Sequence, residues 1–144
     1  MPAINTLLCP VDFSQMSQPV LDYAVFLAQT HQAQLKLIHV VDQLHGLDSY
    51  KILHMTAVEI THEMEHQAKA QLKELAASLP VAATFDVRFG RAADEIVLQA
   101  KQDETDLIVM GSHGRSGLTH LLVGSVAESV VRYAPCPVLV VRQS

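Results

Sequence analysis

The chain has 144 residues, about the length of one domain, and with 49% hydrophobic and 17% charged residues it carries too much apolar material for a disordered protein. Fifteen Asp and Glu outnumber ten Lys and Arg, and a formal net charge of -5 speaks against a nucleic-acid footprint. No apolar run approaches the roughly 20 residues that span a bilayer. The N-terminus, MPAINTLLCPVDFS, lacks the basic start and long apolar stretch of a secretory signal. These features predict a cytoplasmic protein without membrane insertion, with residues 1–144 forming a single domain.

Ile4 to Val11 is a short apolar run ending in Asp12 and reads as a buried strand. From Ser17, a helix N-cap with Pro19 in the first turn, apolar residues recur at Val20, Leu21, Ala24, Val25, Leu27 and Ala28, the spacing of a helix face. Gln34 to Val41 is a second strand, followed by a polar loop from Asp42 to Lys51. A long helical pattern runs from about Leu53 to Ser78 and is closed by Pro80. From Ala83 to Phe89, Phe85, Val87 and Phe89 alternate with Thr84, Asp86 and Arg88, which predicts a strand with one wetter face.

Gly90 ends that strand, and Ala92, Ala93, Ile96, Val97 and Ala100 form the next helix face, with Asp94 and Glu95 in its first turn where the helix dipole favours them. Asp106 to Met110 is a wholly apolar strand after its first residue and runs straight into Gly111. Val126, Ala127, Val130, Val131 and Ala134 form a last helix face, and Pro137 to Arg142 a last strand. Five strands alternating with four helices predict an α/β domain, an open twisted parallel sheet with helices on both faces and strand order 3-2-1-4-5. In such sheets ligands sit outside the carboxyl ends of the strands where the order reverses, here the loops after the first and fourth strands.

Cys9 and Cys136 sit in apolar runs beside prolines and read as structural thiols. Charge is unevenly spread. Residues 1–41 hold one basic and two acidic side chains (1 − 2 = −1), residues 42–110 six and twelve (6 − 12 = −6), and residues 111–144 three and one (3 − 1 = +2). The only net-positive part contains GSHGRSGLTHLLVGS, residues 111–125, with four of the chain's six glycines.

In that stretch Gly111 allows a sharp exit from the sheet, and Gly114 can take a positive φ. Successive backbone N–H groups in such a turn make an anion-binding concavity. Gly124 and Ser125 open a helix whose free N–H groups favour a phosphate, and Arg115, Ser116 and Ser125 add donors, with His113 as a further candidate. A competing reading is local: Ser125-x-x-Glu128 fits a capping box, which needs no ligand. The stretch is neither a Walker A loop, since no Gly-Lys-Ser/Thr occurs, nor Gly-x-Gly-x-x-Gly, nor a hydrolase elbow.

Asp12, directly after the first strand, suits a ribose or base contact, or equally a turn at the start of the helix. HEMEH, His62 to His66, matches His-Glu-x-x-His, but its surroundings read as a solvated helix face with no third ligand in a dry cleft.

The opening LLCPVDFSQMS, the strand IHVVD, the FGRAADEIV segment and DLIVMGSHGRSGLTHLLVGSVAESVVRYAPCPVLVVR together resemble the universal stress protein family along nearly the whole chain. The most specific element is Gly-x2-Gly-x9-Gly-Ser/Thr, met by Gly111, Gly114, Gly124 and Ser125, which marks the ATP-binding branch of that family. The resemblance implies that Pro10, Val11 and Asp12 line the adenosine side, with Val40, Val41 and Met110 around the adenine. By the same resemblance, Gly111, Ser112, His113, Gly114, Arg115, Gly124, Ser125 and Val126 would surround ribose and phosphates, with Mg2+ on the phosphate oxygens.

The resemblance also implies a homodimer, formed through the last strand, Val138 to Arg142. His113 and His120 depart from the family pattern, standing where many members carry Arg or another polar residue. The implied function is an ATP-binding, nucleotide-dependent regulatory module in stress response, acting on a protein partner. Two alternatives stand beside it: a slow ATPase or autophosphorylating enzyme with Ser112, Ser116 or Thr119 as acceptor, and a dimerisation module without nucleotide.

Overall fold

The computed structural model describes residues 2–14, 17–42, 56–112 and 123–142. Its elements follow in chain order: β1 (Thr6–Pro10), α1 (Ser17–His31), β2 (Gln34–Val41), α2 (Ala57–Ser78), β3 (Ala83–Phe89), α3 (Ala92–Gln102), β4 (Leu107–Gly111), α4 (Ser125–Tyr133) and β5 (Val138–Val141). All strand pairs are parallel, and the sheet order is β3-β2-β1-β4-β5, as the sequence predicts.

β1 is central and covered on both faces, so Leu7, Leu8 and Cys9 are all buried and no polar alternation survives. β3 is an end strand, and its outward Thr84 and Asp86 are exposed. Helices α1 and α2 cover one face, where Leu7, Cys9, Val11, Leu37, Leu72 and Val109 share one core. Helices α3 and α4 cover the other, over Leu8, Ile38, Ile96, Ile108, Met110 and Val130. The chain thus winds outward from β1 over one face and returns to β4 over the other. The strand order reverses between β1 and β4, which pair Leu7 with Leu107 and Leu8 with Ile108.

One boundary and one helix face differ from the sequence reading. Residues 53–55 lie outside the described residues, but Thr56 is extended (φ −72°, ψ 160°) and its hydroxyl accepts from the Glu59 N–H at 3.2 Å, so α2 is capped at Thr56 rather than running through from Leu53. On α4 the buried positions are Ala127 and Val130, whereas Val126 (37%) and Val131 (54%) are exposed and lie off the face expected for them.

The end of the sheet remote from the strand carboxyl ends is pinned by Asp106. Its carboxylate accepts from the N–H groups of Asn5 (2.8 Å) and Thr6 (3.0 Å), joining the starts of β1 and β4. Cys9 is fully buried, and that burial pushes its thiol up to about 12, so it behaves as a small apolar side chain.

Candidate functional site at the strand reversal

At the carboxyl end of β4, the Ser112 N–H donates to the Val141 carbonyl (3.0 Å) and the Ser112 carbonyl accepts from the Gly124 N–H (2.7 Å). The second bond sets the start of α4 against the end of β4. Gly124 is the N-cap residue (φ −64°, ψ 160°), and its carbonyl receives the first helical bond, from the Glu128 N–H at 3.0 Å.

This geometry bears on the capping reading of Ser125. Ser125 is the first helical residue, not the cap, and among the described residues no side chain caps the helix. The capping box is therefore absent. Helix geometry leaves the N–H groups of Ser125, Val126 and Ala127 without a carbonyl from an earlier turn, and Gly124 has no side chain to offer them. The N–H groups of Ser112 and Gly124, expected to face an anion, are committed to backbone carbonyls instead. The donor capacity at this junction therefore lies in the first turn of α4, where Ser125 and Val126 are exposed.

Pro10, Val11 and Asp12 stand at the end of β1, next to β4. The Asp12 carboxylate oxygen Oδ1 accepts from the Ser14 N–H (2.9 Å) and the Ser17 hydroxyl (3.0 Å), so the turn reading of Asp12 holds, and the Ser17 hydroxyl is directed to Asp12. Val11 is gripped by β2 on both sides: its N–H donates to Ile38 (2.8 Å) and its carbonyl lies 2.8 Å from His39 Nδ1. Phe13 takes φ +64°, and its ring sits 4.4 Å from that of His39, tilted by 40°.

The remaining candidates divide by face. Val41 is buried and, by strand alternation, shares the face of Leu37, while Val40 packs with Met110 on the α3/α4 side. A pocket on one face can thus take a side chain from only one of the two valines. Met110 is itself buried, and Gly111 ends β4 beside Val141. Ser112 is only 3% exposed, which shuts its hydroxyl away from an incoming phosphoryl group. His113, Gly114 and Arg115, together with Ser116, Thr119 and His120, lie outside the described residues.

A cavity of about 440 Å³ opens between α1 and α2, lined among others by Val11, Phe13, Leu21, Gln71 and Glu74. It lies below the Asp12 turn on the α1/α2 side rather than over the start of α4. On α2, His62 and His66 are exposed, and the described residues contain no group of three or more His, Cys, Asp or Glu able to hold a metal ion. The zinc pattern in HEMEH has no enclosing site there. No helix among the described residues is long and apolar enough to cross a membrane.

The residues missed in the sequence are His39 and Phe13. A ring nitrogen two residues from the end of an otherwise apolar strand, IHVV, was the available signal for His39. A positive φ at an aromatic residue has none, because Gly and Asn are the residues that announce it.

The model of the universal stress protein family matches residues 3–142. The chain belongs to the universal stress protein family. Universal stress protein YxiE of Bacillus subtilis is 38% identical over 96% of this chain and 99% of its own. Among solved structures, the protein MJ0577 superposes with a TM-score of 0.85 at 26% identity, covering 99% of both chains. A universal stress protein solved in complex with cAMP shares the fold at 24% identity, with a TM-score of 0.66 over 99% of this chain and all (100%) of its own. These two solved structures therefore share the fold over nearly the whole chain.

Proposed function

We propose that this universal stress protein binds an adenine nucleotide, ATP with Mg2+, at the strand reversal, and that binding changes the surface around residues 112–123 seen by a regulatory protein partner. The observation that carries the reading is the uncapped start of α4 held against the end of β4 by the Gly124-to-Ser112 bond. Exposed N–H groups at a helix N-terminus favour the negative charge of a phosphate. Asp12 follows the adjacent strand, which supports a contact with the ribose or base, and the half-buried Val40 supports an apolar contact on the α3/α4 side.

The Gly111, Gly114, Gly124, Ser125 pattern and a structural neighbour solved in complex with cAMP support the same assignment. Ser125, exposed at the first turn of α4, supplies a hydroxyl suited to phosphate or to Mg2+ on the phosphate oxygens. Nucleotide would stay bound without rapid turnover, since no Gly-Lys-Ser/Thr supplies a lysine to a transferring phosphoryl group.

Ser125→Asp separates phosphate binding from a purely structural role. A carboxylate in the first turn of an uncapped helix stabilises it by about 0.5 kcal/mol through the helix dipole. The same charge repels phosphate. The variant is expected to melt at or above the wild-type temperature while losing at least about tenfold in ATP affinity. Unchanged affinity would remove the phosphate from the start of α4.

A second copy of the chain is the proposed partner of β5. This strand ends the sheet, and no described strand pairs with its outer edge. Exposed apolar residues flank it: Leu139 on the strand, and Tyr23 on α1, which packs over β4 and β5. On α1, Gln18 and Leu21 line the cavity toward α2, and helical spacing puts Tyr23 on the opposite flank, toward β5.

A further inference from the structure

We propose that His39 is a positioning residue for the nucleotide site, holding the Val11-Asp12-Phe13 turn in the conformation that presents Asp12 to the ligand. The proposal rests on the nucleotide-binding reading above.

The turn is strained. Phe13 sits at φ +64°, a region that a bulky side chain seldom occupies and that persists only where neighbouring structure enforces it. Part of the enforcement is local, through the two bonds to Asp12 Oδ1 from Ser14 and Ser17. Those bonds shape the turn but do not fix it to the sheet. His39 does so from the neighbouring strand. Its ring packs against Phe13 at 4.4 Å, and its Nδ1 lies 2.8 Å from the Val11 carbonyl. A carbonyl only accepts, so Nδ1 carries the hydrogen.

Asp12 therefore sits between a carbonyl held by the His39 donor and an aromatic residue held by the His39 ring. By strand alternation His39 shares the α1/α2 side of β2 with Leu35 and Leu37, which are buried in that core and fix the strand beneath it. A side chain clamped in this way presents its ligand groups with little freedom to lose on binding.

The test compares wild type with His39→Leu and His39→Asn. Leu keeps apolar bulk but has no donor, whereas the Asn side-chain amide can reach the Val11 carbonyl from the same side. Calorimetric titration with ATP and Mg2+ is expected to show His39→Leu weakened by about tenfold, with most of the affinity recovered in His39→Asn. Thermal melting of all three proteins reports whether each is folded at the titration temperature. Long-range proton–nitrogen spectra of the wild-type imidazoles, assigned by the resonance lost in His39→Asn, are expected to show His39 protonated at Nδ1.

Wild-type affinity in His39→Leu would overturn the proposal while leaving the binding reading intact. Equal losses in the Leu and Asn variants would overturn the donor role, as would a His39 ring protonated only at Nε2. No binding by wild type would instead overturn the binding reading, and the proposal with it.

Discussion

The Asp106 carboxylate, bonded first to the backbone N–H of Asn5, then to the N–H of Thr6 and to its hydroxyl, is held below the usual carboxylate range. The donors favour the charged form, so they stabilise the folded chain while the carboxylate is ionised. That contribution is complete above the pKa of the unfolded chain and is lost as pH falls through the lower folded value. Asp106→Asn is therefore expected to be less stable than wild type near neutral pH, with the difference shrinking below about pH 4. Denaturant melts across pH 3 to 7 check this, and a difference independent of pH would contradict it. Because Asp106 lies at the amino end of the sheet, ATP affinity is expected to be unchanged in the variant.

Elements are joined by polar clamps as well as by the two cores. Arg88 on β3 donates to Glu95 (2.9 Å), Gln99 (2.8 Å) and Gln102 (3.0 Å), so one guanidinium spans two turns of α3. Gln99 is only 3% exposed, and its amide in turn donates to Asp103, which also bonds Lys36 of β2 at 2.9 Å. Arg88→Met would leave the buried Gln99 oxygen and the half-buried Glu95 carboxylate without their donor. A loss of about 2 kcal/mol is expected from chemical denaturation, again without effect on ATP affinity. A loss below about 0.5 kcal/mol would show that the clamp is solvent-compensated.

These elements also show what the sequence could reveal. Apolar runs such as DLIVM and the helical spacing in AADEIVLQA located strands and helices to within a few residues, because burial dictates both patterns. The cap at Thr56 was hidden beneath a helical pattern that continues upstream of it, although Thr56-x-x-Glu59 was there to be read. Ser125-x-x-Glu128 has the same form and is no cap, since the Gly124-to-Ser112 bond makes Gly124 the cap residue. Equally illegible was the polar burial of Gln99, which depends on Arg88 arriving from another element.

For the whole molecule, the doubly wound sheet brings the ends of β1 and β4 together at its centre, although Asp12 and Gly124 are far apart in the chain. The motif glycines identified the β4 side in sequence, but which backbone donors face outward depended on hydrogen bonds that no spacing reveals. The outer edge of β5 is the counterpart at the rim. If the proposed dimer forms through β5, Leu139→Lys, a charge on a strand whose outer edge no described strand pairs, is expected to leave a monomer in sedimentation equilibrium. A wild-type monomer at tens of micromolar would refute pairing through β5.

The central claim is that the strand reversal takes a phosphate, and the direct test is calorimetric titration of nucleotide-stripped wild type with ATP, ADP, AMP and cAMP in the presence of Mg2+. The account predicts saturable binding of ATP with one site per chain, weakened as phosphates are removed because they are held at the start of α4. No heat with any of the four would contradict it, and equal affinity for ATP and AMP would place the β- and γ-phosphates outside the site.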